Sequence, residues 1–234
     1  MNRETIDRLD ARVNALGASL FFDEVTVATA AAAGIDDVFA LYASRAGVLG
    51  DVDAGQAASA LAFFDPKVVA DVWSGLDRFG TPSQVAEIFA GAMSSAATQR
   101  WDPEAASVVV ALGLKVAESV TPTGHALFTG WRRVARARGD VSSVMQALRE
   151  LRGDVHIQCI SVHGLHPLEA EMVTRGASAA QMHGWAPPYP EPEPLIDAVA
   201  AAESATSHRM AQIYAAALTA AEFDDLVAAV DALE

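Results

Sequence analysis

The chain is poor in cysteine and in long apolar segments. Cys159 is the single cysteine among 234 residues, which excludes an internal disulfide and is typical of a reducing compartment. The longest stretch without a charged residue, 176–190, has 15 residues and ends in prolines, so it is too short and too broken for a transmembrane helix. The N-terminal MNRETIDRLDARV is charged and lacks an apolar signal core. These absences predict a cytoplasmic protein that does not act in a membrane.

Aromatic residues are also few. They make up 7% of a chain that is 52% hydrophobic, so alanine, leucine and valine supply most of the apolar surface. This balance favours helices packed through small side chains over strands. The sequence therefore predicts an all-α, multi-helix fold. Stretches of helical pattern and cap residues predict helices at 3–16, 35–49, 54–63, 66–78, 82–99, 103–119, 125–137, 142–163, 167–175, 195–217 and 220–232.

Several helix starts are marked by local signals. Asp65, Thr81 and Asp102 each precede a proline, which places an N-cap side chain before the first helical position. Thr81 and Thr219 also stand three residues before Gln84 and Glu222, in the pattern of a capping box. The segment 21–33 is ambiguous, since its Glu-Val-Thr-Val portion could begin a short strand.

Two segments interrupt the helical pattern. SVTPTG at 119–124 predicts a division into an N-terminal helical half, 1–119, and a C-terminal half, 120–234, with one compact domain as the alternative. APPYPEPEP at 186–194 holds five of the ten prolines and cannot be helical. It is either a stiff spacer between helices, or a lid or docking strip for a partner, with Trp185 and Tyr189 supplying contact area.

Cations are scarce. Sixteen Lys and Arg stand against 30 Asp and Glu, and the formal charge is −14. Such a surface repels phosphate backbones unless the basic residues are segregated on one face. Partial segregation exists within 21 residues, at Arg132, Arg133, Arg136, Arg138, Arg149 and Arg152. The alternative is a solvated arginine face that offsets acidic neighbours.

Four stretches resemble a family of uncharacterised actinobacterial helix-turn-helix proteins with a MarR-like winged-helix body. They are ALYASRAGVLG (40–50), FFDPKVV (63–69), LRELRGDVHIQCISVHGLHPLEAEMV (148–173) and the final helical stretch from 195 to 233. The resemblance implies a MarR-like scaffold, transcriptional regulation, and a homodimer formed through the terminal helices.

The chain departs from this family where a recognition helix and a β-wing would lie, between 176 and 195. That interval has room for a helix at 178–183 at most, and nothing in it resembles a wing. From 176 to 234 the chain has nine acids against Arg209 as the only Lys or Arg, whereas a DNA reader needs cations near phosphates. We therefore expect a scaffold with a degenerate wing whose nucleic-acid-binding part has been lost, so nucleic acid is not the predicted partner.

The predicted helix 142–163 has two adjacent stripes. Val144, Leu148, Leu151, Val155 and Val162 form the apolar stripe, and beside it lie Met145, Arg149, Arg152, His156, Cys159 and His163. Arg152, Asp154 and His156 belong to the stretch that carries the resemblance. Gly153 could break the helix, which would separate the two arginines from His156.

Three interpretations of the polar stripe compete. The histidines could be hydrogen-bonded at a helix interface, with the arginines paired to acids. The stripe could instead line a pocket for a small organic ligand between the helical halves. The protein would then be a cofactor-independent enzyme or a binding protein. In that case His156 and Arg152 would be catalytic, and the ligand would contact Arg149, Cys159, His163, Phe128, Trp131 and Trp185. A metal or haem could also be bound by His156, Cys159, His163 or His166, although no HExxH or CxxC motif accompanies them. We favour the organic ligand; a ligand-responsive MarR-like regulator is the alternative, and no cofactor is specified.

Overall fold

The computed structural model describes residues 2–234, and all the regular secondary structure in this range is helical. The α-helices are α1 (Arg3–Ser19), α2 (Glu24–Ala32), α3 (Val38–Ala43), α4 (Ala54–Ala60), α5 (Pro66–Ser74), α6 (Pro82–Arg100), α7 (Pro103–Ser119), α8 (Ala126–Arg138), α9 (Val141–Val162), α10 (Pro167–Thr174), α11 (Ala177–Met182), α12 (Ile196–Ala217) and α13 (Ala220–Asp231). Short 3-10 turns occupy Ser44–Leu49, Leu76–Arg78 and Glu193–Leu195. The all-α prediction is confirmed, and the ambiguous segment forms the helix α2.

The predicted N-caps are confirmed. Asp65, Thr81, Asp102 and Thr219 each accept a hydrogen bond from a backbone amide of the first turn, and the Thr81 and Thr219 capping boxes are complete. Capping side chains satisfy amides that have no partner inside the helix. The predicted helix 35–49 is shorter than expected: it starts after Asp37, and beyond Ala43 it continues as a 3-10 turn.

Helix α9 is the centre of the fold. It is continuous through Gly153 and packs against α1, α6, α7, α8 and α12. Its apolar side chains Val144, Leu148, Leu151 and Val155 are buried in the main core, whereas Val162 is exposed. Burial of one such side chain contributes about 1.5–3 kcal/mol. The helix therefore holds its polar stripe at fixed positions on a well-packed support.

Glycine allows α7 to approach α9 closely. A Cβ atom at Gly113 would lie 2.4 Å from Val144 Cγ1 and 3.3 Å from Leu148 Cδ1. No side chain fits at that distance without displacing a neighbour. The small-residue packing expected from the composition is thus used where the central helix meets its neighbours.

The segment from α10 to the proline run lies against the N-terminal part of the chain. Asp65 N donates to His183 O (2.9 Å), and Trp185 Nε1 donates to Phe63 O (2.8 Å). Between them Gly184 has φ +89° and faces Val68, whose Cγ2 would be 2.5 Å from an added Cβ. The proline run is non-helical as predicted, except for the 3-10 turn at its end.

Within the described residues, no single helix has both the length and the apolar composition of a membrane span. Helices α1 and α2 have the required length and apolar composition only when they are counted together across the 47° bend between them.

Candidate functional site

A cavity of about 340 Å³ lies beside the polar stripe of α9. Helices α1, α3, α8, α9, α10 and α12 contribute to its wall, together with the segment between α4 and α5. Its polar and charged lining residues are Asp10, Asn14, Tyr42, Arg45, Arg149, Glu150, Arg152, Asp154, His156, Glu171, Thr174, Arg175, His183 and Glu203. Three residues of the predicted stripe, Arg149, Arg152 and His156, therefore face one cavity.

His156 is buried, and its hydrogen bonds define its tautomer. The Thr206 hydroxyl donates to Ala202 O (2.8 Å), so its oxygen accepts from His156 Nδ1 at 3.1 Å. The neutral ring then has an unprotonated Nε2, which lies 3.5 Å from Glu203 Oε1. Phe63 stacks on the ring, with centroids 5.9 Å apart. Burial lowers the pKa of His156, Glu203 raises it and Arg152 lowers it, with a net decrease. His156 thus presents a proton acceptor at the cavity wall.

The Arg152 cluster, which we define as Asp10, Arg152 and Glu203, contains one guanidinium and two carboxyls. Arg152 Nη2 donates to Glu203 Oε2 (2.9 Å), and Arg152 Nε lies 3.8 Å from Asp10 Oδ2. Asp10 also accepts from the hydroxyl of Tyr214 (2.7 Å). Burial raises the pKa of Asp10 to about 6, against the opposing effects of Tyr214 and Arg152. The charge of Arg152 is therefore balanced within the protein.

The Glu150 cluster, which we define as Arg45, Arg149 and Glu150, has the opposite balance. Arg45 binds Glu150 through two hydrogen bonds, Nε to Oε1 (2.5 Å) and Nη2 to Oε2 (3.0 Å). Arg149 Nη1 donates to the same Oε1 (3.2 Å). Burial acts to raise the pKa of Glu150, but the two guanidiniums outweigh it and lower the pKa overall. One buried carboxylate thus serves two guanidiniums, which leaves a net positive charge.

Asp154 lies one helical turn after Glu150 on α9 and also lines the cavity. It is 6% exposed, and its Oδ2 accepts from Phe128 N (3.0 Å) in the first turn of α8. Burial raises the pKa of Asp154 to about 7, although the amide of Phe128 lowers it. The residue also borders a second cavity of about 350 Å³, which shares Ala60 and Ile157 with the first. Asp154 therefore connects two cavities through a carboxyl that changes charge near neutral pH.

His183 reaches the cavity from outside the predicted stripe. Its Nδ1 lies 2.8 Å from Glu171 Oε2, and its ring contacts Phe64 at a centroid distance of 4.3 Å. Glu171 is 1% exposed. No sequence pattern marks His183 as a site residue, because only the packing of the chain after α11 on the segment between α4 and α5 brings it to the cavity.

The other predicted residues do not line this cavity. Phe128 and Trp131 are buried in the core, and Trp131 Nε1 donates to Arg45 O (3.0 Å). Cys159 is half-buried between the main core and a smaller apolar cluster formed by α9, α10 and α12, and His163 is exposed at the end of α9. Trp185 bonds Phe63 O and contacts His166. Trp131 and Trp185 thus act on the cavity indirectly, by holding backbone that carries lining residues.

The spacing of His156, Cys159, His163 and His166 suggested a metal or haem as one interpretation. Across residues 2–234, no group of three or more His, Cys, Asp and Glu side chains is arranged to hold a metal ion. The metal interpretation therefore rests on sequence spacing alone.

Comparison with known proteins places the chain in a family. A family model described as "Helix-turn-helix family" matches residues 6–191, which include α10, α11 and most of the cavity lining. No curated protein and no solved structure matches the chain. The predicted helix-turn-helix membership is confirmed, and the MarR-like winged-helix body stays a prediction. The chain belongs to this Helix-turn-helix family.

Proposed function

We propose that the protein binds a small organic anion in the cavity beside α9. The Glu150 cluster is the observation that supports this most strongly, because it faces the cavity with two guanidiniums and one carboxylate. An incoming carboxylate or phosphate group would balance the excess charge. Guanidiniums suit such groups because their donors match two acceptor oxygens at once.

His156 supplies the polar centre of the proposed site. Its unprotonated Nε2 accepts a proton or a hydrogen bond from the ligand, and Glu203 then stabilises the charged ring. Arg152 holds Glu203 beside His156 through its hydrogen bond to Oε2. This is the arrangement that a general base requires, so a proton-transfer reaction without a cofactor is compatible with the site.

The local chemistry of α11 favours a ligand over DNA as the main partner. This helix lies in the interval where the family resemblance expects a recognition helix, yet it has six residues and neither lysine nor arginine. His183 and Trp185, just after this helix, are hydrogen-bonded to Asp65 and Phe63, and the segment between α4 and α5 contributes to the cavity wall. A duplex reader needs cations at this place.

A thermal-shift panel of small carboxylates and phosphate esters, each paired with its neutral amide or alcohol, tests this function. A ligand at 100 times its Kd stabilises by about 2.7 kcal/mol, and for a chain of this size each kcal/mol raises Tm by about 2–4 °C. We expect increases in Tm from anions only, and smaller increases in Arg149→Gln. The exposed Arg136, which pairs with Glu118, provides the matched control Arg136→Gln. Equal responses of both variants would refute the site, and a panel without any shift would count against ligand binding.

A ligand-responsive transcriptional regulator is the second candidate, and family membership favours it. In this role the ligand would alter how a dimer holds DNA. Gel shifts with genomic fragments at low and moderate salt separate the two functions. Sequence-selective binding with a steep salt dependence would support the regulator, whereas its absence at low salt would leave ligand binding as the function. Light scattering would give the oligomeric state in the same samples.

A further inference from the structure

Two imidazoles line the cavity, and each is held by a carboxylate and an aromatic ring. His156 has Glu203 and Phe63, and His183 has Glu171 and Phe64. Phe63 and Phe64 are consecutive residues of the segment between α4 and α5. The two rings are therefore supported by one short piece of backbone and line the same cavity.

The contact with Glu171 defines the protonation of the His183 ring. A carboxylate is an acceptor only, so Nδ1 of His183 carries the hydrogen and the neutral ring leaves Nε2 unprotonated. Among the described residues Nε2 has no hydrogen-bond partner, and the side chain is 12% exposed. The nitrogen is thus free to accept from a molecule in the cavity.

Glu171 is itself fixed in place. It is buried on α10, and its Oε2 takes the hydrogen bond of His183. Arg175 Nη1 lies 3.5 Å from Oε1, within ion-pairing distance, but Oε1 accepts no hydrogen bond within the described chain. The hydrogen bond to Oε2 therefore determines the orientation of His183.

We infer that His183, oriented by Glu171, is a second ligand-contacting acceptor of this cavity, and that the ligand is an organic anion which also carries an O–H or N–H donor. This inference rests on the proposed function and specifies its ligand class. The anionic group meets the Glu150 cluster, and the donor meets Nε2 of His183. Glu171 is a positioning residue in this arrangement.

Nitrogen-15 NMR of the full-length chain with labelled histidine tests the inference, because the two ring nitrogens have distinct shifts in each tautomer. We expect a single tautomer for the neutral ring of His183, with Nδ1 protonated and Nε2 unprotonated. In Glu171→Gln the amide can turn to accept or to donate, so we expect both tautomers to be populated. Glu169→Gln is the matched control on the same helix: its side chain contacts His166 N rather than His183, the amide oxygen keeps that hydrogen bond, and the tautomer of His183 should match the unmodified chain.

Labelling with diethyl pyrocarbonate gives a second readout. The unprotonated ring nitrogen attacks a carbonyl carbon of the reagent, ethyl carbonate leaves and the other ring nitrogen releases its proton, so peptide mass spectrometry reports which rings have a reachable unprotonated nitrogen. We expect His183 to be labelled. A protonated Nε2, an unlabelled His183, or an unchanged tautomer in Glu171→Gln would overturn the inference. The thermal-shift panel does not depend on this tautomer, so failure of ligand binding can be told apart from failure of the His183 contact.

Discussion

Two parts of the cavity wall balance their charges in opposite ways. In the Glu150 cluster two guanidiniums share one carboxylate, and in the Arg152 cluster one guanidinium lies between two carboxyls. Both clusters draw an arginine from the same face of α9. The difference shows that the partners of an arginine, rather than its position on a helix, set the local balance of charge.

The largest expected effect comes from removing the shared carboxylate. Glu150→Gln leaves two buried guanidiniums without a counter-charge, and we expect a loss of about 3–5 kcal/mol in the free energy of unfolding. Urea denaturation measures it. Glu118→Gln removes the partner of Arg136 at the surface, where the loss should stay below about 1 kcal/mol. Similar losses in the two variants would contradict the charge balance described for the Glu150 cluster.

The next effect concerns Asp154, a carboxyl without a guanidinium of its own. Its pKa of about 7 in the folded chain lies above the ordinary aspartate value of 3.8, so the folded state binds the proton more tightly than the unfolded state. Stability therefore falls as pH rises from about 4 to 7. Asp154→Asn keeps an acceptor for Phe128 N and removes the charge. We expect this variant to be more stable than the unmodified chain at pH 8, by roughly 2–4 kcal/mol, and to lose that advantage towards pH 4.

Asp10→Asn sharpens this test. The pKa of Asp10 is raised to about 6, so the corresponding gain should be smaller and should fade at a lower pH. Denaturation midpoints between pH 4 and 8 distinguish the two carboxyls. If Asp154→Asn gave the same difference at every pH, the assignment of a raised pKa to Asp154 would be wrong.

A third prediction compares the two arginines directly. Arg149→Gln removes a guanidinium from the cluster with excess positive charge, and loss of one charge-assisted hydrogen bond costs about 1.5–3 kcal/mol. We expect affinity for an anion found in the thermal-shift panel to fall about 10- to 100-fold, by calorimetric titration. Arg152→Gln should weaken binding less, because Arg152 is occupied by Glu203. A larger loss in Arg152→Gln would reverse the assignment.

The smallest effects are expected at the stripe residues that do not line the cavity. Cys159→Ser and His163→Gln should leave the affinity of the same anion within about twofold, since losses below 0.4 kcal/mol correspond to that factor. Titration under identical conditions measures both. A tenfold loss in either variant would show that the site extends along α9 beyond His156.

Much of the fold follows from local signals in the sequence. Asp65, Thr81, Asp102 and Thr219 mark helix starts because capping depends on a few neighbouring residues. The spacing along α9 also identified Arg149, Arg152 and His156 as residues on one face, and the fold brings all three to one cavity. Local sequence sufficed for these three residues, but it did not show that Cys159 and His163, further along the same helix, lie outside the cavity.

The sequence could not predict contacts between distant segments. Arg45 reaches Glu150 from a 3-10 turn, and Glu203 reaches Arg152 from α12, across 105 and 51 residues. Neither partner has a pattern that links it to α9. Gly153 looked like a helix break, yet tertiary packing on five helices keeps α9 continuous, which outweighs a cost of about 1 kcal/mol for glycine.

Native mass spectrometry of the protein as purified, alongside Arg149→Gln, tests the central claim most directly. The account predicts that the unmodified chain carries a small organic acid which denaturation releases, and that Arg149→Gln has lost it while remaining folded. A chain that carries no small molecule and takes up none of the tested anions, or a bound molecule retained equally by the variant, would contradict it.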